Sequence, residues 1–136
     1  MRPLKTYLVE DSPVIRDDLI AALEELVPVE VVGSAEDESS AVAWLAQSRQ
    51  EVDLVIVDIF LRGGSGLGVL RAVRACLPST NVIVLSNYAT DEMRRNCLAL
   101  GADRVFDKSN ELEALLLYCE RLAIDGCGSE GLGAPV

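Results

Sequence analysis

Short runs rich in Val, Ile and Leu alternate along the chain with longer segments of helical period, and this alternation restricts the fold more than any single residue does. It argues for βα units built around a parallel sheet. The spacing predicts strands over 4–10, 29–34, 52–58, 81–86 and 104–108. The middle run begins "VDLVIVDIF", in which the apolar residues Leu54 to Val57 follow one another as in a strand buried on both faces. A carboxylate at the end of such a strand, Asp58, costs free energy unless something compensates it.

The intervening segments carry helix signals. Ser12 followed by Pro13 marks a start, because serine caps free amides and proline in the first turn loses no needed donor. Ile15, Leu19, Leu23 and Leu26 then form one apolar stripe. A second helix is expected over 38–47, burying Val42 and Leu45, with Trp44 as a packing or partly exposed residue rather than a ligand platform. A third, over 67–77, ends before Pro78; a fourth, over 91–100, opens after Thr90 and is stopped by Gly101. The last, over 111–124, places Leu112, Leu115, Leu116, Cys119, Leu122 and Ala123 on one face, and Gly126 ends it. Residues 126–136, "GCGSEGLGAPV", read as a flexible glycine-rich tail or linker start after a single domain over 1–125.

At 136 residues, with 50% of them apolar, the chain supports one substantial core. Its net charge of -10 repels phosphate backbones and anionic lipid, so no direct nucleic-acid or membrane binding is expected. A basic partner surface suits it better. No apolar run reaches the length of a membrane span, and the start "MRPLKTYLVEDS" has no signal-peptide core, so a cytoplasmic location is expected. Cys76, Cys97, Cys119 and Cys127 show no paired spacing, there is no histidine to complete a zinc site, and the thiols read as small apolar residues. The lack of histidine also removes Ser-His and Cys-His catalysis. Any chemistry must rest on carboxylates, hydroxyls, lysine or a bound ion.

In open α/β sheets, ligands bind beyond the carboxyl ends of the strands. The first expected strand ends in Glu10-Asp11, the third in Asp58, the fourth in Ser86 and the fifth in Lys108. The second ends in Gly33-Ser34-Ala35, and a 2-1-3-4-5 order puts it at the sheet edge. Three carboxylates, a hydroxyl and an ammonium then converge on one rim. The carboxylates repel one another and a single lysine cannot neutralise them, whereas a hard divalent cation can. Magnesium fits best, since it takes oxygen ligands and keeps several waters. Taken singly, each residue has a plainer reading: helix-start charges for Glu10 and Asp11, a turn former for Asp58, a polar strand end for Ser86, a solvated lysine for Lys108. The "GGSG" of 63–66 lacks the Lys-Ser/Thr pair of a phosphate-binding loop and reads as a turn into the third helix.

"VEDS", "LVIVDIFL" followed by "GGSGL", "VIVLS" and "GADRVFDKS", in that order and spacing, resemble the receiver domain of two-component response regulators, of the stand-alone type, across residues 4–124. The resemblance implies an α/β, flavodoxin-like (βα)5 fold: a five-stranded parallel sheet of order 2-1-3-4-5 with helices on both faces. It implies that Asp58 accepts a phosphoryl group from the histidine of a sensor kinase. Asp11 would bind magnesium directly, Glu10 chiefly through water, and Phe60 through its backbone carbonyl. Such a domain is a phosphoacceptor signalling module rather than an enzyme, although it assists its own phosphoryl transfer and dephosphorylation. In chemical terms Asp58 is the nucleophile, Lys108 and magnesium offset charge on the phosphoryl oxygens, and Ser86 donates a hydrogen bond to one of them. That last bond pulls the loop after the fourth strand and switches protein binding. The implied output is an unknown protein partner, with the fourth helix, fifth strand and fifth helix as the partner or homodimer face.

Several positions depart from the family pattern. Val105 stands where an aromatic is usual, and Phe106, one step on, should face the other side of the sheet, so no aromatic rotamer flip is expected to carry the signal. Ser109 replaces a proline that is usually joined through a cis peptide. A cis bond before a non-proline costs about 3 kcal/mol, so Lys108-Ser109 is predicted trans, with Ser109 free to cap the last helix. Arg62 replaces a common proline and reads as a surface arginine. Phe60 and Tyr88 occupy the positions that in the family govern water access, and two aromatics there predict a long-lived phosphoryl state. Competing readings are the receiver fragment of a larger DNA-binding regulator, a binding-only pseudo-receiver, and an aspartyl-phosphate phosphatase, which would need a second aspartate where Phe60 stands.

Overall fold

The computed structural model describes residues 3–47, 52–87 and 89–132, with side chains described as far as residue 124. Strands and helices alternate throughout: β1 (Leu4–Val9), α1 (Pro13–Leu26), β2 (Val29–Ala35), α2 (Glu38–Gln47), β3 (Leu54–Val57), α3 (Gly66–Cys76), β4 (Asn81–Ser86), α4 (Asp91–Ala99), β5 (Arg104–Asp107) and α5 (Leu112–Leu132). All strand pairs are parallel and the order is β2-β1-β3-β4-β5, as the alternation requires. The period of two sorts the strand side chains between two cores. Val55, Val57, Val82, Val84 and Val105 face α2, α3 and α4, while Leu54, Ile56, Ile83, Leu85 and Phe106 face α1 and α5. β3 is therefore buried along its whole length.

The helix signals hold at most ends. Ser12 accepts from the Ile15 N–H at 3.3 Å with Pro13 opening α1, and Thr90 accepts from the Met93 N–H at 3.2 Å at the start of α4. Gly101 turns the chain after α4 at φ +108, a conformation that favours glycine. Trp44 packs as expected, stacked on Tyr7 with ring centroids 4.0 Å apart.

Some expectations fail for physical reasons. Of the expected α1 stripe, Leu19 and Leu23 are buried but Ile15 and Leu26 are exposed; at the helix end it is Val27, the next residue, that enters the core beside Leu4 and Val29. α2 buries Ala41 and Leu45 and leaves Val42 half-buried. On α5, Leu115, Cys119 and Ala123 are buried, Leu116 and Leu122 half-buried, and Leu112 exposed. The α5 backbone continues to Leu132, so Gly126 does not end the helix. Glycine disfavours a helix interior by only about 1 kcal/mol and, unlike proline, keeps its donor. Residues 133–136 of the expected tail lie outside the described residues.

Cys97 and Cys119 are buried on opposite faces of the sheet, and Cys76 is exposed; the side chain of Cys127 lies outside the described residues. Burial pushes the Cys119 thiol up to about 12, in keeping with a small apolar packing residue. Among the described residues, no helix is long and apolar enough to cross a membrane.

Candidate functional site

The parallel register brings the strand ends together. Val9 pairs with Val57, which sets Glu10 level with Asp58, and the Asp58 N–H donates to the Val9 carbonyl at 3.0 Å. Both side chains are buried, and Asp11 beside them is half-buried. Carboxylate oxygens of Glu10, Asp11 and Asp58 all lie within 4.8 Å of one another. From β5's end, Lys108 Nζ donates to Glu10 Oε1 at 2.5 Å and to Asp58 Oδ2 at 3.0 Å. Asp58 Oδ1 accepts from the Phe60 N–H at 3.1 Å, and Glu10 Oε2 from the Ser12 N–H at 3.1 Å. Ser86 is fully buried at the end of β4, and its carbonyl accepts from the Lys108 N–H at 2.8 Å. Glu10, Asp11, Asp58, Phe60, Ser86 and Lys108 thus stand on this one rim.

The charges at the rim do not balance. Burial raises the Glu10 carboxyl above its ordinary value, against the opposing effect of hydrogen bonds from Lys108 and the Ser12 N–H, while the Asp58 charge adds to the rise. Burial alone would lower Lys108, but its hydrogen bonds to Glu10 and Asp58 and their charges outweigh this and raise it, so it stays an ammonium. Three carboxylates against one ammonium leave an excess of negative charge in a mostly buried pocket. An all-oxygen donor set of that charge fits a hard divalent cation.

Several supporting residues carried no clear sequence signal. A Cβ on Gly66 would strike the Asp58 carbonyl and lie 2.7 Å from Ile59 Cα, so only glycine lets α3 begin against the strand end. Glu38 of α2 fixes the connecting loop: its Oε1 accepts from the Ser65 N–H at 2.8 Å and its N–H donates to the Gly63 carbonyl at 2.9 Å. Beyond β5, Asp107 Oδ1 accepts from the N–H groups of Ser109 at 2.7 Å and Asn110 at 3.2 Å. The expected Ser109 cap is therefore corrected: α5 starts at Leu112, and the charged Asp107 acceptor, able to take two amides, closes the turn instead.

No peptide bond is cis among the described residues, Lys108-Ser109 included. Val105 and Phe106 face opposite cores, and Arg62 is exposed. Phe60 is exposed at the rim, and Tyr88 lies outside the described residues.

Comparison with known proteins bears on this arrangement. The sequence matches the response regulator receiver domain family over residues 7–120. It is 28% identical over 99 residues to the DNA-binding transcriptional activator DevR/DosR of Mycobacterium tuberculosis, covering 73% of this chain and 45% of that protein. It is 31% identical over 117 residues to a protein-glutamate methylesterase/protein-glutamine glutaminase of Myxococcus xanthus, covering 85% of this chain and 33% of that protein. The chain thus spans less than half the length of these two curated relatives. The response regulator domain of Thermotoga maritima CheB shares the fold with a TM-score of 0.78 at 21% identity, covering 89% of this chain and 96% of that one. Since the family match runs from β1 into α5 and takes in the whole charged rim, this chain belongs to the response regulator receiver domain family.

Proposed function

We propose that the domain accepts a phosphoryl group on Asp58 from the phosphohistidine of a sensor kinase, and that the modified domain changes its affinity for an output protein. The observation that carries this reading is the buried Asp58 carboxylate, held on one oxygen by Lys108 and on the other by the Phe60 N–H, between Glu10 and Asp11. A carboxylate oxygen attacks phosphorus, an O–P bond forms as the P–N bond breaks, and the electron pair stays with the departing imidazole. Fixed orientation matters most here, because phosphoryl transfer asks for in-line positioning and charge neutralisation rather than covalent help. The Lys108 ammonium offsets charge on the arriving phosphoryl oxygens, and the Ser86 hydroxyl donates to one of them.

Asp11 and Asp58 would hold magnesium directly, with the Phe60 carbonyl, and Glu10 would act chiefly through water. When bound, the ion supplies the positive charge that one lysine cannot. The domain assists its own loading and unloading without turning over a separate substrate. A sensor histidine kinase is then the donor, and the face of α4, β5 and α5 is the surface offered to an output protein or to a second copy. On that face the Arg104 guanidinium lies over the rings of Phe106 and Tyr118, at 5.1 and 5.2 Å from their centroids.

Intact-protein mass after incubation with a small phosphodonor and magnesium tests this. Wild type should gain one phosphoryl group, and both Asp58→Asn and chelator should abolish the gain. A folded wild type that gains nothing would point to a binding-only pseudo-receiver. The length of the relatives favours a second reading, in which the domain is the input unit of a longer regulator; the reading frame of the native gene after Val136 decides that.

A further inference from the structure

The small side chain of Val105 raises the question of how α4 senses the site. A valine facing the α4 core has no ring to swing. The polar contacts of Arg94, on α4, supply a different connection. Its Nε donates to the Ala89 carbonyl at 3.2 Å, in the loop after Ser86. Its Nη1 donates to the carbonyl of Val105 itself at 2.9 Å, and its Nη2 to Glu111 Oε1 at 2.7 Å. Glu111 in turn closes the Lys108 turn from both sides. Its Oε1 accepts from the Asp107 N–H at 2.9 Å, and its own N–H donates to the Asp107 carbonyl at 2.8 Å. One planar guanidinium therefore spans the loop after Ser86, the β5 backbone and the turn that carries Lys108.

We propose that the Arg94–Glu111 clasp is the positioning device that couples the Lys108 turn and the loop after Ser86 to helix α4, in the role an aromatic at 105 would otherwise fill. The proposal rests on the phosphoacceptor reading of Asp58. Both side chains are about a third exposed, at 32% and 37%, and so exposed a pair contributes little to stability. Its value lies in geometry. A movement of either loop toward the phosphoryl group changes the acceptors available to Arg94, so the free and modified states differ in contacts on α4, which is what coupling requires. Lysine at 94 keeps the charge but cannot reach three acceptors in a fork.

The test loads wild type, Arg94→Lys and Glu111→Gln with a small phosphodonor and magnesium, confirms loading by intact mass, and compares amide hydrogen exchange across α4 in the free and loaded forms. Wild type should show a change in α4 on loading. Both variants should load to the same stoichiometry and melt near wild type, while the change in α4 shrinks roughly fivefold. The double variant should lose no more than either single one, as members of one coupled unit do. A loaded-minus-free difference in α4 as large as wild type's in both variants would overturn the clasp and leave Asp58 as acceptor. So would a loaded wild type whose α4 does not change. A wild type that gains no mass removes the phosphoacceptor reading, and the clasp with it, at the first step.

Discussion

An arginine fork lies near each end of α4, and the two hold different things. Arg74, from α3, gives Nε and Nη2 to the Gly101 carbonyl at 2.9 and 2.6 Å, and Nη1 to the carbonyls of Pro78 at 3.0 Å and Thr80 at 2.8 Å. Its Nη2 also meets Asp103 Oδ2 at 3.2 Å, an oxygen that accepts from the Val82 N–H. All these acceptors lie where β4 and β5 begin, at the end of the sheet away from Asp58. Arg94 instead holds groups next to Ser86 and Lys108. Arg74 ties backbone carbonyls and one carboxylate at the end of the sheet away from the rim. Arg94 ties segments that border the uncompensated rim. The same fork is an anchor at one end of the sheet and a coupling element at the other.

The comparison breaks most visibly at the rim itself. Asp58→Asn should abolish phosphoryl acceptance outright. In metal-free buffer it should also raise stability, by on the order of 1 kcal/mol, because one of three crowded carboxylates is gone, while the single amide oxygen keeps one of the two bonds that Lys108 and the Phe60 N–H now give to separate carboxylate oxygens. Urea unfolding with and without magnesium checks this. A loss of stability would mean that the Lys108 ion pair outweighs the repulsion. Arg74→Ala comes next: losing several charge-assisted bonds to carbonyls should cost about 2–3 kcal/mol by urea unfolding, with Asp58 loading intact. If Arg94→Ala costs as much, the distinction between anchor and coupling element fails.

A smaller effect concerns the lifetime of the modified state. The exposed Phe60 ring borders the site, and with a large apolar group there an attacking water has less room to align. Phe60→Asn should speed phosphate release roughly tenfold, equivalent to about 1.4 kcal/mol of barrier. Following the decay of the added mass after donor removal measures it. An unchanged rate would remove Phe60 from control of the lifetime.

The rim was legible in the sequence because it is built from strand ends, and in a parallel sheet those ends meet wherever the strands do. Once the βα alternation is read, Glu10, Asp11, Asp58, Ser86 and Lys108 fall on one edge with no further information. The devices that hold the rim were not legible. Glu38 reaches Ser65 across 27 residues and Arg94 reaches Glu111 across 17, and neither spacing leaves a period in the chain. Local signals failed where two of them competed or where one was weak. Asp107 and Ser109 both offered a side-chain acceptor to the same turn, and the carboxylate took it. Gly126 was read as a stop although its preference is worth only about 1 kcal/mol. Ile15 and Leu26 matched the helical period, but period says which face a residue shares and not whether a neighbouring element covers it.

The clasp also leaves a trace in the acid range, the smallest of these effects. Hydrogen bonds from Arg94 and then from the Asp107 N–H hold the Glu111 carboxyl below its ordinary value, with Arg94 and Arg104 adding charge. A depressed carboxyl releases its proton more readily in the folded chain than in the unfolded one. Its stabilisation is therefore complete above the unfolded value, about 4.3, and is lost as pH falls through the lower folded value. Glu10 behaves in the opposite sense: its carboxyl is raised, so protonation relieves the crowded rim as pH falls and stability is gained there. The two trends overlap in wild type, and the difference between wild type and Glu111→Gln removes the shared Glu10 contribution. That difference, from melting temperatures between pH 7 and pH 3 at low salt, should be present near neutrality and close below about pH 4. A gap that stays constant into acid would mean that the Arg94 bond contributes no charge interaction in solution, and the coupling would then have to rest on the Asp107 contacts alone.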